Sequence, residues 1–186
     1  SGINLSSDED REKLVREYVK RLKEAEIKIA AITDYNGIRG EWFIPIKEEA
    51  EKEGIKVFPG VELSLREGKY GIHILLIFDN TVDISKVNNF LKFLDKDKRN
   101  LIDDRKHIDI DAEDKLDKLI EKIRKHFNDS LVIIPHPNEG DSKGLLNSFS
   151  PKDAVSYLKT IKPDGIEYLS ATSIKKLKDA GLSEEF

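Results

Sequence analysis

Apolar side chains recur at the i, i+3, i+4, i+7 spacing of one helical face in several parts of the chain. These stripes predict helices over about 8–24, 84–94, 116–127 and 173–179. Asp83 is a candidate cap for the helix over 84–94, and Ser150 and Pro151, followed by an acid at Asp153, predict the start of another helix. Because proline is tolerated in a first helical turn but not in a helix interior, the helix that carries Pro45 is predicted to run from near Ile44 to Gly54.

Continuous apolar runs between these helices are typical of strands covered on both faces. They predict strands at 27–33, 55–58, 61–65, 72–78, 131–134 and 165–169. The polar connection 66–71 suits a tight turn between neighbouring strands, and the charged segment 95–111 is predicted to be a solvated loop. Helix and strand therefore alternate, which predicts an α/β domain with a mainly parallel sheet of five or six strands, too few for an eight-stranded barrel.

Composition narrows the class of protein. The 186 residues fit a single domain over 1–186, and charged residues make up 37%, a Lys- and Glu-rich bias reported for heat-adapted proteins. The net charge of -4 gives no general attraction to nucleic acid or to anionic lipid. The chain opens on Ser-Gly-Ile and contains no Met, which suggests a fragment of a longer protein.

The chain has no cysteine, and this limits any metal chemistry. Disulfides and thiolate zinc sites are excluded, so His, Asp and Glu would have to hold a metal, and a cytoplasmic location is expected. No apolar run approaches the roughly 20 residues of a membrane span, so no membrane partner is expected.

Polar residues of metal-binding or catalytic type stand near the ends of five predicted strands. The stretches are Thr33-Asp34-Tyr35-Asn36, Pro59-Gly60-Val61-Glu62, Gly71-Ile72-His73, Pro135-His136-Pro137 and Gly165-Ile166-Glu167. Parallel strands in a barrel bring such residues together at one mouth. The pattern therefore predicts a site.

Glu62, His73 and His136 are the strongest candidates within that pattern. His136 stands between two prolines that stiffen the backbone, which suits a metal ligand, although a turn histidine bonded to a carbonyl is the alternative. Glu62 lies among apolar neighbours, where a carboxylate needs a metal or a cationic partner. His73 also lies among apolar strand residues. A single histidine in a strand is more often a hydrogen-bonded core residue, so Glu62 and His73 together are more informative than either alone.

Asp34, Tyr35 and Glu167 leave alternatives open. Asp34 could be a metal ligand, a base or only a cap for the following turn. The hydroxyl of Tyr35 could orient a phosphate, but it is a poor ligand for hard divalent ions. Glu167 is at a strand end without evident partners. No Gly-rich phosphate loop, G-x-S-x-G elbow or H-E-x-x-H helix occurs, which argues against nucleoside triphosphate hydrolysis by this segment.

Four motifs in order resemble the PHP (polymerase and histidinol phosphatase) family: 30–36, 58–63, 71–75 and 134–137. More specifically, the chain resembles the PHP-like domain that opens TrlF-type ATPases of the AAA and SMC kind. The resemblance covers roughly residues 12–170. It implies a distorted (β/α) barrel that binds a cluster of divalent metals and hydrolyses phosphoesters, with Glu62, His73 and His136 as metal ligands.

Three departures from the family pattern affect this expectation. The opening His-x-His strand and the closing Asp-x-His strand are missing, so the barrel is expected to be incomplete in this chain. The usual Thr-Asp-His-Asn histidine is Tyr35. Truncation could explain the first two departures but not the third.

Two hypotheses follow. In the first, the chain is a phosphoesterase in which Glu62, His73 and His136 bind Mn, Zn or Fe and Asp34 assists the nucleophilic water. Tyr35 and Asn36 would then contact the substrate, a phosphoester such as one derived from a nucleotide or nucleic acid. In the second, the domain is catalytically inactive and regulates an ATPase domain in the same full-length protein. The missing ligands favour the second hypothesis for this segment taken alone.

Overall fold

A computed structural model describes residues 8–99, 101–102, 109–112, 114–137, 143–167 and 170–183. Five strands within these ranges form one sheet in chain order: β1 Ile29–Tyr35, β2 Lys56–Leu65, β3 Ile72–Ile77, β4 Leu131–Ile134 and β5 Gly165–Ile166. The helices are α1 Asp8–Glu24, α2 Gly40–Lys52, α3 Ile84–Leu94, α4 Leu116–His126, α5 Leu145–Ser148, α6 Pro151–Ile161 and α7 Ala171–Asp179. The fold is therefore α/β, as the alternation predicts.

The sheet is mixed, so the prediction of a mainly parallel sheet is wrong. β1 pairs with β2 and β4 with β5 in parallel, whereas β3 is antiparallel to both of its neighbours. The connection 66–71 is too short for a crossover, so the chain must return antiparallel after β2. In the described ranges the sheet stays open, with β1 and β5 at its edges, and no closed barrel forms.

One face of the central strands forms the main core. Val61, Leu63, Ile74 and Leu76 are fully buried there and belong to the same apolar cluster as residues from the surrounding helices. Side chains alternate between faces along a strand, so Glu62, Ser64 and His73 lie on the opposite face. The alternation therefore separates the core from the polar face.

Local capping follows the sequence signals at two helices. The Asp83 carboxylate accepts from the backbone N–H groups of Ser85 and Lys86 at the start of α3. Ser150 Oγ accepts from the N–H of Asp153 at the start of α6. Both predicted helix starts are confirmed.

Two proline positions correct the predicted boundaries. Helix α2 begins at Gly40 rather than near Ile44 and carries Pro45 in its interior, because burial of Phe43 and Ala50 holds the helix despite the lost hydrogen bond. Strand β2 continues through Pro59, so the predicted break at 59–60 is wrong. Pro59 has no N–H to donate, but its carbonyl accepts from Phe78 N at 2.8 Å.

The prediction of a solvated loop over 95–111 is wrong at both ends of this segment. Asp95 and Ile110 are fully buried, and Ile110 N donates to Ser64 O at 2.7 Å. Burial of Ile110 and the ion pair between the buried Asp95 and Arg99 therefore hold the two ends of this segment, which look polar in sequence. Residues 100 and 103–108 of this segment lie outside the described ranges, as do residues 168–169 of the last predicted strand.

Within the described ranges, no helix combines the length and the apolar character that a bilayer crossing would need.

Candidate metal centre

Glu62, His73 and His136 converge on one point. His73 Nδ1 lies 2.8 Å from Glu62 Oε1, and His136 Nε2 lies 3.4 Å from the same oxygen. The two imidazole nitrogens are 3.0 Å apart. The predicted convergence of a carboxylate and two imidazoles is therefore present in the structure.

Sheet register explains how two of these side chains meet. Glu62 pairs with Leu75 and His73 pairs with Ser64, so Glu62 and His73 are diagonal neighbours on one face of the β2–β3 ladder. Diagonal positions are within reach of long side chains. His136 joins them from the loop that follows β4.

The spacing of the three donor atoms fits a single metal ion. Ligand bonds of about 2.0–2.2 Å at angles between octahedral and tetrahedral place neighbouring donor atoms roughly 2.9–3.5 Å apart. The observed separations of 2.8, 3.0 and 3.4 Å fall close to this range. Two imidazoles and a carboxylate are a donor set that suits Zn, Mn or Fe. The residues present therefore fit a divalent ion.

The electrostatics of the cluster agree with this assignment. The hydrogen bond from His73 lowers the pKa of Glu62 below its usual value, although partial burial opposes the shift. His73 Nε2 is buried without a hydrogen-bond partner among the described residues. A buried polar atom without a partner is costly, so the His73 ring is not fully satisfied by the hydrogen bonds of the described residues.

Glu167 holds His136 in place. Its Oε2 accepts the backbone N–H of His136 at 2.7 Å and lies 3.7 Å from the Nδ1 of the same residue. His136 has a φ of 33°, which is rare for a residue other than glycine and is found where the surroundings enforce strain. Carboxylates behind a ligating histidine commonly fix its orientation. The undecided strand-end Glu167 thus has a partner.

A second polar cluster adjoins the metal centre on the same face of the sheet. Asp109 Oδ1 accepts from Tyr35 Oη at 3.0 Å and from Ser64 Oγ at 2.8 Å, and it forms an ion pair with Lys143. We call Tyr35, Ser64, Asp109 and Lys143 the lysine cluster. The Tyr35 ring meets the His73 ring edge-on, with centroids 6.1 Å apart, so the two groups are neighbours.

Burial and charge have opposite effects on the pKa of Asp109 in the lysine cluster. Burial of Asp109 raises its pKa, but hydrogen bonds from Lys143 and Ser64 outweigh this, and the net pKa lies below the usual value. Burial also raises the pKa of Tyr35. At neutral pH Asp109 is thus a carboxylate and Tyr35 a neutral phenol.

Asp34 and Asn36 are not brought into the metal centre. Asp34 pairs with Val61, on the face opposite to Tyr35 and Glu62, and its Oδ2 accepts the Arg39 N–H at 3.3 Å. This placement favours the capping alternative, and a catalytic Asp34 stays a prediction.

Asn36 is 1% exposed and has a φ of 55°. Its Oδ1 accepts the Ser64 N–H at 2.8 Å, and its own N–H donates to Glu62 O at 2.9 Å. Asn36 therefore fastens the end of β1 to β2 beside the site. Contact between Asn36 and substrate stays a prediction.

Sequence reasoning missed Ser64, Asp109 and Lys143. Ser64 could have been found, because it stands two residues after Glu62 on a strand and therefore on the same face. Asp109 falls in a segment that looks wholly solvated, and Lys143 has no distinguishing neighbours in the sequence. Only tertiary structure brings these two together.

Residues 7–162 match the PHP domain family. No curated protein matches the chain.

Two solved structures share the fold. One is an amidohydrolase from Chromobacterium violaceum with bound sulfate and no metal, which is 16% identical with a TM-score of 0.58. The alignment covers 89% of this chain and 76% of that one. The other, from Bifidobacterium adolescentis, is provisionally described as a metal-dependent phosphoesterase and is 12% identical with a TM-score of 0.59. Here the alignment covers 89% of this chain and 77% of that one.

Proposed function

This chain belongs to the PHP domain family, and on that premise we propose that it is a metal-dependent hydrolase domain that acts on phosphoesters. The observation that carries the proposal is the convergence of Glu62 Oε1, His73 Nδ1 and His136 Nε2 within 3.4 Å of one another. The provisional description of the Bifidobacterium structure as a metal-dependent phosphoesterase supports the same chemistry. The expected substrate is a phosphoester such as one derived from a nucleotide or nucleic acid.

Each residue has a definite task in this proposal. Glu62, His73 and His136 hold one Mn, Zn or Fe ion, which when bound polarises a phosphoryl oxygen and lowers the pKa of a water molecule. Glu167 keeps the His136 ring in its ligating orientation through the contact to the His136 backbone. In this proposal the Tyr35 hydroxyl, beside His73, exchanges its bond to Asp109 for one to a phosphoryl group at the edge of the metal centre.

Metal analysis and hydrolysis of p-nitrophenyl phosphate test the proposal together. We expect the purified chain to bind one transition metal ion and to hydrolyse the ester, and we expect His136→Ala to lose both properties. His126→Ala is the matched control, because the His126 ring lies on α4 and its Nδ1 contacts the Lys122 carbonyl at 2.9 Å. Absence of bound metal, together with unchanged hydrolysis in His136→Ala, would refute the proposal.

A second candidate function is a regulatory or interaction domain of a larger ATPase. Tyr35 favours it, because this position carries histidine in the family pattern that the chain resembles, and here its hydroxyl is committed to Asp109. In full-length protein, Tyr35→His without a gain in metal affinity would support this alternative. Strong phosphoester hydrolysis by the unmodified protein would exclude it.

A further inference from the structure

The ammonium group of Lys143 sits in a pocket of three oxygens. Ser64 Oγ lies 2.6 Å from Nζ and Tyr35 Oη lies 3.5 Å away, while Asp109 Oδ1 forms the ion pair. An ammonium has three donors and no acceptor, so these three acceptors saturate it. Lys143 is therefore a fixed cation within this pocket rather than a mobile surface charge.

The pocket is partly buried and directly beside the metal centre. The side chains of Lys143 and Asp109 are 19% and 29% exposed. Tyr35 is in register with Glu62, and Ser64 is in register with His73, so each strand position in the pocket has a proposed metal ligand as its neighbour. A charge held here therefore lies next to the proposed metal centre.

Two of the oxygens around Lys143, on Asp109 and Ser64, are also of the kind that a divalent ion accepts. A carboxylate and a hydroxyl are hard donors that suit Mg²⁺ or Mn²⁺. Metal-dependent phosphoryl transfer often uses two cations about 3.5–4 Å apart, one on each side of the reacting oxygens. In this chain the Lys143 ammonium group contacts the oxygens that a second cation would use.

We propose that Lys143 takes the place of a second metal ion, so that the site holds one divalent ion and one permanent ammonium. This proposal rests on the proposed metal centre at Glu62, His73 and His136. The tethered ammonium neutralises Asp109 and supplies the second positive charge beside the phosphoryl group. A second divalent ion can enter only where the ammonium has been removed.

Titration with Mn²⁺, followed by calorimetry and by the paramagnetic signal of free Mn²⁺, tests the proposal without an activity assay. We expect the wild-type chain to bind one ion and Lys143→Ala to bind two. Lys143→Arg keeps the positive charge and should stay at one ion. In the double variant Lys143→Ala, Asp109→Ala, the second ion should be lost again.

Lys122→Ala is the matched control for exposing a carboxylate. Lys122 forms an ion pair with Asp114 on the surface, without the hydroxyl groups that surround Lys143. Its removal should leave the count at one ion. A second ion in Lys122→Ala would show that any freed aspartate suffices, which would overturn the role assigned to the pocket.

Three further outcomes overturn the proposal. These are a wild-type chain that binds two ions, a folded Lys143→Ala that still binds one, and an Arg variant that gains an ion. If Lys143→Ala fails to fold, Lys143→Gln provides a neutral variant that can still hydrogen-bond Asp109, and the same gain is expected. If the wild type binds no ion, the proposed metal centre is refuted. A gain of one ion in Lys143→Ala would then still support the pocket as a cation site.

Discussion

Glu167 Oε2 accepts the backbone N–H of His136 at 2.7 Å, although the two residues are 31 positions apart in the chain. The contact ties the loop after β4 to the residue that follows β5. It also supports a ligand residue whose backbone has a φ of 33°. The orientation of one proposed metal ligand thus depends on a carboxylate that does not itself need to touch the metal.

We expect Glu167→Ala to weaken metal binding by about 10–100-fold while the protein stays folded, because it removes the acceptor of the His136 backbone N–H. Glu167→Gln keeps an acceptor for this N–H and should weaken binding less. Calorimetric titration with Mn²⁺ measures the change. Asp153→Asn, at the exposed start of α6, is a control for loss of one negative charge and should leave the affinity unchanged.

Metal binding should stabilise the wild-type fold and not the Glu62→Gln variant. A ligand that binds only the folded chain adds about 2.7 kcal/mol to the free energy of unfolding at 100 times its Kd. Thermal melts with and without MnCl₂ will show this as a rise in Tm. Glu121→Gln, at an exposed pair with Lys118, should keep the full rise. An equal rise in Glu62→Gln would place the ion elsewhere.

Asp34→Asn separates the catalytic prediction from the capping role that its position favours. We expect hydrolysis to change less than tenfold and the free energy of unfolding to fall by less than about 1 kcal/mol, because the amide oxygen of asparagine can still accept the Arg39 N–H. A general base would instead contribute about 10²–10⁴-fold to the rate. Steady-state rates and urea denaturation on the same sample distinguish the two. A loss of that size with normal stability would restore Asp34 as the base.

Asp95→Asn should destabilise the fold by about 2–3 kcal/mol at neutral pH, the scale of hydrogen bonds to charged groups. The buried Asp95 carboxylate accepts from Arg99 Nε at 2.8 Å and from the Asp111 N–H at 3.1 Å. Arg99 holds the pKa of Asp95 well below its usual value of 3.8. This stabilisation is therefore present above about pH 4 and is lost as the pH falls through the lowered pKa.

Urea denaturation of the wild type and Asp95→Asn across this acidic range measures the difference directly. The gap in the free energy of unfolding should be largest near neutral pH and should narrow as the wild-type carboxyl group becomes protonated. A gap that stays constant with pH would show that packing, and not the charge, accounts for the effect.

Prolines show where sequence reasoning about the fold reached its limit. Local signals located every helix of the described ranges except the short α5. The cap residues Asp83 and Ser150 are as expected, because a capping bond involves residues that are close in sequence. Pro45 and Pro59 misled the boundaries, since burial against other elements outweighs the cost of one missing donor. The hairpin-like turn predicted at 66–71 is confirmed, since this connection joins the antiparallel neighbours β2 and β3.

The sequence by itself determined the metal-ligand candidates. Glu62 and His73 stand among apolar strand residues, and His136 is held between prolines, so each is marked locally as a polar group with a reason to be there. Only the tertiary structure decided which polar residues share a face and a pocket. Lys143, Asp109 and Tyr35 are 34 to 108 positions apart in the chain but contact one another in the fold. Asp34 lies on the opposite face of the sheet from Glu62, because side chains alternate between the two faces along β1. Hydrogen bonds and ion pairs are short-range, so such partners follow from the folded path of the chain and not from their spacing along it.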